Sequence, residues 1–309
     1  MKIVKIQSRD DMNVNSCVLT IGKFESVHLG HCALLAEVME QAKKQDLQPA
    51  AMIFDPHPYV FFGNTDYVTM FTEEERNGLL KSAGLHLLFT CLFDAGFVNL
   101  PPSEFCKILF EQCKAKVVIV GEGYRFGKGR AGDVELLTSE AEKYGASVKI
   151  IPSVHISRNG ALHSPEVSTS NIRKLLADGN IADANSQLGF PFFICGVVTQ
   201  GKQLGRTIGF PTLNIYPRSN KFLPPDGVYK TCTTIGDKIY NSITNIGFRP
   251  TVDSTEKVRS VETHLLGYQG NELYDAYVKV ELLDFIRPEQ KFNSLEELKT
   301  QIAKDITAK

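Results

Sequence analysis

The chain has 309 residues, 43% of them hydrophobic and 22% charged, with a formal net charge of −1. That length suits two domains, each able to bury its own core, and the balance is that of an ordinary globular protein with no broad basic field for nucleic acid. Seven cysteines, scattered and without a CxxC pair, point to reduced thiols in the cytoplasm rather than a disulfide framework or a zinc site. The opening MKIVKIQSRDDMN has no apolar signal core, and no apolar run is long enough to span a bilayer.

The first half alternates short strands with helices. Cys17 to Gly22 is an apolar run ending in glycine, the pattern of a buried strand. A helix is expected from Gly30 to about Gln45, with Leu34, Leu35, Val38 and Ala42 on one face. Further strands are expected at Ala50–Phe54, Leu85–Leu92, Val117–Val120 and Val148–Ile151. Helices are expected from the capping spacing at Thr72 and Glu75 to about Lys81, and over Ser103–Gln112 and Asp133–Tyr144. This alternation implies a parallel sheet covered on both faces, with ligands bound beyond the carboxyl ends of its strands.

The first strand-to-helix turn, Gly22 to His31, carries His28 and His31 three residues apart. At a helix start they share a face, beside free N–H groups that favour phosphate. Two imidazoles there would stabilise phosphates as charge shifts. Surface histidines, or a metal site with Cys32, are the alternatives, although no fourth metal ligand has suitable spacing. Ser168 is placed to cap a helix whose second turn carries Arg173; hydroxyls, helix N–H groups and a guanidinium together suit an anion, while plain capping explains Ser168 equally.

After the short helix Ile181–Gln187 and the hinge Leu188–Pro191, β-rich runs alternate with turns at Phe192–Thr199, Gly227–Thr234, Lys238–Asn245, Val258–Leu266 and Leu273–Leu282. Short strands at this spacing imply a sandwich or a small barrel. Between the first two lies GKQLGRTIGFPTLN. Gly201, Gly205 and Gly209 leave backbone bare for a polyphosphate, and Arg206 adds a charged donor. If Pro211 leads into a strand, Thr212 and Asn214 point to one face, as neutral oxygens suited to Mg²⁺ on a nucleotide. A barrel corner is the alternative. In Val261–Leu265, alternation puts Glu262 and His264 on one face and Val261, Thr263 and Leu265 on the other. Ser294 and Glu297 cap a last helix with Leu295, Leu298 and Ile302 on one face.

GKQLGRTIGFPTLNI resembles the signature of riboflavin kinases, in the bacterial form fused to an FMN adenylyltransferase. HxGH at His28–His31 resembles the nucleotidyltransferase signature. Phe54–Pro58, Gly121–Gly127 and Ser168–Arg173 resemble the family's FxPHP, glycine-aromatic and SSTxIR segments, so the resemblance spans nearly the whole chain. It implies an α/β, Rossmann-like adenylyltransferase domain over residues 1–187 and a small antiparallel β-barrel with a terminal helix over 188–309. The implied work is phosphorylation of riboflavin to FMN by ATP, then adenylylation of FMN to FAD with release of pyrophosphate. Glu262 is then the base that takes the ribityl hydroxyl proton, with Thr212 and Asn214 on magnesium. Gly201, Gly205, Arg206 and Gly209 hold phosphates in the second domain; Gly22, Phe24, Gly30, Ser168 and Arg173 accompany His28 and His31 in the first. Tyr124, Arg125, Arg249 and Arg287 fall in segments expected near flavin, and His264 is assigned a structural role.

The chain departs from the family at four places. Glu25-Ser26 stands for Asp-Gly, and serine would cost ~1–2 kcal/mol there if the backbone were left-handed. Gly123-Tyr124 stands for Asp-Phe, and Gly267 and Asp275 replace an Asp and a Gly. A protein retaining one of the two activities, or a flavin sensor without turnover, is the alternative these changes allow.

Overall fold

Residues 1–6, 14–156, 166–201, 205, 208–250 and 257–307 are described by a computed structural model, the side chains of 249, 250 and 257 apart. Backbone contacts divide them into two units, Met1–Tyr67 with Glu73–Ser168, and Val68–Thr72 with Thr169–Lys309.

In the first unit, the apolar runs form a six-stranded parallel sheet: β1 (Lys2–Ile6), β2 (Cys17–Ile21), β3 (Gln48–Asp55), β4 (Leu87–Leu92), β5 (Ala115–Gly121) and β6 (Ser147–Ile151), in the order β1-β4-β3-β2-β5-β6. Alternate residues of the central strands enter opposite cores. Leu19, Met52, Phe89 and Val118 pack on one face, and Val18, Ala51, Leu88 and Ile119 on the other. Such strands read as continuous apolar runs, which is why they are visible in the sequence. The edge strand β1, with two lysines and a mostly exposed face, carries no such signal and is not among the expected elements.

The helices here are α1 (Leu29–Gln45), α2 (Pro58–Phe61), α3 (Glu73–Ser82), α4 (Ala95–Val98), α5 (Pro102–Lys107) and α6 (Val134–Lys143). The expected helix to Gln112 holds, but its last turn, Ile108–Gln112, is wound as a π-helix. Leu35, Val38 and Ala42 of α1 are buried as the periodicity requires.

The second unit begins with the helices α7 (Thr169–Ala177) and α8 (Ile181–Leu188). The sequence reading draws a boundary at 187, whereas backbone contacts group these helices with the barrel. Asn185 of α8 donates to the Leu282 carbonyl (2.8 Å) and accepts from the Phe192 amide (2.7 Å). Strands β7 (Phe193–Val197), β8 (Leu213–Ile215), β9 (Gly227–Ile235), β10 (Lys238–Pro250), β11 (Lys257–Leu265) and β12 (Tyr277–Pro288) form an antiparallel sheet in the order β7-β12-β9-β10-β11-β8. A bridge between Thr199 and Asn214 draws its two ends together, so the barrel is nearly closed. Its interior carries a run of bonded hydroxyls: Thr231 meets Ser242 (2.7 Å) and Thr244 (2.9 Å), and Thr244 meets Thr263 (2.9 Å). Each of these four hydroxyls thus has a partner, which burial demands.

Helix α9 (Leu295–Thr307) closes the chain. Ser294 caps it, accepting from the Glu297 amide at 3.2 Å. Leu298 and Ile302 face a cavity in this unit, but Leu295, expected on the same face, is 52% exposed. The contact that fixes this helix, Arg287 to Asp305, lies at its other end.

The strap Val68–Thr72 also belongs to this second unit. Thr69 donates its amide to the Asn220 carbonyl (2.8 Å), and Phe71 packs on Phe190, Phe192 and Phe193. The buried Lys221 donates to the Phe193 carbonyl (2.9 Å) with its ammonium over the Phe71 and Phe192 rings. All seven cysteines are free. Among the described residues, no helix is long and apolar enough to cross a membrane.

Candidate active sites

In the first unit, β2 ends against β3, with the Gly22 amide bonded to the Met52 carbonyl (3.1 Å), and the chain turns into α1. His28 is the N-cap of α1. Its Nδ1 accepts the His31 amide at 3.3 Å, and the two imidazoles stack with centroids 3.9 Å apart. Phe24 packs on His31 at 4.9 Å. Gly30 and Gly22 make room for these rings: a Cβ on Gly30 would lie 3.0 Å from the His28 ring, and one on Gly22 would lie 3.1 Å from Phe24.

Burial pushes His28 down to about 4 from 6.5 and holds His31 well below that ordinary value, with the His28 charge adding to the effect on His31. Both are therefore neutral at neutral pH. His31 Nδ1 is buried without a hydrogen-bond partner, at the first turn of a helix that carries no acid there. That is a neutral polar site where an anion would be favoured by the helix N–H groups. The Cys32 thiol points to the Val27 carbonyl (3.4 Å).

The two departures at Glu25-Ser26 have a local explanation. The left-handed residues of this loop are Phe24 (φ 47°) and Val27 (φ 46°), not Ser26, so the glycine-to-serine penalty does not arise. The Glu25 carboxylate is buried, accepts from Tyr67 Oη at 2.5 Å and lies 3.6 Å from His57 Nε2, while the His57 and Tyr67 rings stack at 4.7 Å. The longer side chain is thus fully engaged. Sequence reading finds the His57 segment but not Tyr67, which has no motif around it.

Ser168 directly precedes α7, which starts at Thr169. Arg173 falls in the second unit, where Nη2 donates to the Val68 carbonyl (2.9 Å) and the guanidinium lies over Phe222. Tyr124 is stacked on Phe126, and burial raises its phenol. Arg125 pairs with Asp133, the cap of α6, at 2.9 Å.

In the second unit, the register places Glu262 opposite Asn245 on β10 and opposite Asn214 on β8. The expected alternation is present: Val261, Thr263 and Leu265 are buried, while Glu262 and His264 face a cavity of about 250 Å³. Thr212, Ile243 and Asn245 share its wall, with Phe292, Leu298 and Ile302 across from the strands. A second hollow, about 470 Å³, also has Thr212 and His264 in its wall, with Tyr268 and Tyr274. His264 Nδ1 lies 2.8 Å from the Pro211 carbonyl.

Asn214 is 5% exposed, and its Oδ1 is buried without a partner. A buried amide oxygen left unbonded next to a threonine and a carboxylate fits a hard cation, which takes oxygen ligands. Gly201 is required by this side chain, since a Cβ there would lie 2.4 Å from Asn214 Nδ2. At Gly205 a Cβ would lie 2.3 Å from the Phe210 carbonyl oxygen, and Gly209 is left-handed at φ 87°. Arg206 and the side chain of Arg249 lie outside the described residues.

Arg287 lines the cavity, but Nε and Nη2 grip Asp305 of α9 at 2.9 and 2.7 Å. It holds the cavity wall together. Glu289, which no motif marks, enters the same wall and accepts from Asn245 at 2.8 Å. Gly267 is left-handed (φ 72°), and so is Asp275 (φ 64°), where the family's glycine would sit without strain.

Paired neutral imidazoles at a helix start on one unit, and a carboxylate beside two neutral oxygens on the other, define a two-site transferase of nucleotide substrates. The family described as FAD synthetase matches residues 10–164, and that described as riboflavin kinase matches residues 188–309. The chain belongs to the bifunctional riboflavin kinase/FMN adenylyltransferase family. It is 37% identical over 309 residues to the enzyme of that name from Escherichia coli strain K12, covering 99% of this chain and 96% of that one. Identity to the Bacillus subtilis strain 168 enzyme is 30% over 293 residues, covering 93% and 90%. A solved Streptococcus pneumoniae structure, described as a macrolide-efflux protein, shares the fold with a TM-score of 0.85 and 27% identity, covering 99% of this chain and 97% of that one.

Proposed function

We propose that this protein makes FMN and FAD: the second unit transfers the γ-phosphoryl group of ATP to riboflavin, and the first joins FMN to AMP from a second ATP. The work divides as the family matches do, with residues 188–309 carrying phosphorylation. The observation that carries the kinase reading is the row Asn214–Glu262–Asn245 across three strands, with the orphaned Asn214 oxygen beside it.

Phosphoryl transfer needs two ligand spaces that meet where the group moves in line. The two hollows sharing Thr212 and His264 supply them. Glu262 holds the ribityl hydroxyl and takes its proton as its oxygen bonds to the γ-phosphorus; ADP leaves. Thr212 and Asn214 would hold magnesium, which neutralises phosphate charge when bound. Gly201, Gly205 and Gly209 let the backbone approach the phosphates.

In the first unit, an FMN phosphate oxygen attacks the α-phosphorus of ATP, and pyrophosphate leaves. His28 and His31 donate to the phosphates as neutral imidazoles, and no covalent intermediate is needed. The seven free thiols support a cytoplasmic setting.

The test is a chromatographic time course with riboflavin, ATP and Mg²⁺, repeated with Glu262→Gln. The wild type should form FMN and then FAD. The variant should lose riboflavin phosphorylation by about 10²–10⁴-fold, the usual contribution of a positioned base. Normal phosphorylation by a folded variant would remove Glu262 from this role.

A further inference from the structure

Arg76 lies in the first turn of α3, within electrostatic reach of acids at the carboxyl ends of β2 and β3. The acids that face its guanidinium are Glu73 on its own helix, Asp55 at the end of β3 and Glu25 in the loop after β2. Among the described residues, none of them comes within ion-pair distance. Its polar contact is a long one, Nη2 to the neighbouring Asn77 Oδ1 at 3.4 Å, and Nε is buried with no partner.

The acid that could have neutralised it is held elsewhere. The Glu25 carboxylate is fixed by Tyr67 Oη at 2.5 Å and faces His57 at 3.6 Å. A guanidinium has five donors in a planar fork that matches a phosphate edge. Leaving it partly desolvated and unpaired is costly unless a ligand completes it. The surrounding acids balance its charge at a distance without occupying its donors.

We propose that Arg76 is a phosphate-binding residue of the adenylyl-transfer site, its fork taking phosphoryl oxygens of a substrate. This rests on the reading of the first unit as an adenylyltransferase. The phosphate can come from FMN or from the polyphosphate of ATP, and kinetics separate the two.

The experiment uses full-length Arg76→Gln and Arg76→Lys, with FAD formation measured while FMN and ATP are varied in turn. Inhibition by inorganic pyrophosphate and riboflavin phosphorylation are measured in the same preparations. Loss of a charge-assisted pair should raise one KM about 10- to 100-fold in Arg76→Gln, with partial recovery in Arg76→Lys and phosphorylation unchanged. A rise confined to FMN, with pyrophosphate inhibition unchanged, assigns the FMN phosphate. A rise for ATP with weakened pyrophosphate inhibition assigns the polyphosphate. Unchanged constants overturn the proposal. So does a loss of both activities together with a lowered melting temperature, which is the mark of a structural arginine. A wild type that makes FMN but no FAD removes the adenylyltransferase reading itself, and this inference with it.

Discussion

His28 is 8% exposed and stacked on a second buried imidazole, so it resists taking a proton. Its folded value of about 4 lies below the ordinary 6.5. Below pH 6.5 the unfolded chain binds a proton that folded His28 refuses until about pH 4. Stability is therefore whole above pH 6.5 and declines as pH falls toward 4, by about 3 kcal/mol from this group. Urea unfolding at pH 7 and pH 4 should show that loss, and His28→Asn, which keeps a capping side chain, should show a shallower one. Equal slopes in the two proteins would assign the effect to other groups. At this scale, residues inside motifs were legible: His28, Glu262, Thr212 and Asn214 were all named from spacing and resemblance. Tyr67 and Glu289 were not, because each matters through a contact with a residue distant in sequence, and Arg76 was not, because no motif surrounds it. Arg125, Arg173 and Arg287 show the converse, since a sequence displays a charge but not the partner that engages it.

Among the elements, α9 depends on one buried ion pair. Arg287 grips Asp305, which also accepts from Gln301 at 2.8 Å and is 3% exposed. Asp305→Ala would leave the arginine without its acid and loosen the wall that Leu298 and Ile302 supply. The expected loss is about 3 kcal/mol of stability in the barrel, read by thermal unfolding, with faster proteolysis near residues 295–307. An unchanged melting temperature would show that the helix is held by its apolar face alone. Strands and helices buried on both sides were legible as apolar runs. The ends of β10 and β12 were less so, because register and bulges decide where a strand stops, and β12 shifts register at Leu282/Asp284 and Phe285/Arg287.

For the molecule as a whole, the two units each carry their own constellation, so the two chemistries should be separable in one chain. Glu262→Gln should stop FMN formation from riboflavin while FAD formation from supplied FMN stays within about twofold, because the sites share no described residue. A parallel collapse of both rates would mean that the second unit governs the first. The division into an α/β half and a β half was visible in the change of texture near residue 190. The strap Val68–Thr72 was not, since nothing in its five residues announces a partner so far along the chain.

That strap has a consequence for the order in which the protein is made. Thr69 and its partner Asn220 are 151 residues apart. At the usual pace of translation, about ten to thirty seconds pass between their synthesis. For most of that time Phe71 has been delivered, but Phe192 and Phe193 have not, and Lys221 comes only at its end. The nascent chain therefore carries an aromatic residue whose permanent surroundings do not yet exist, and the barrel can complete its core only by gathering in a piece of chain made long before it.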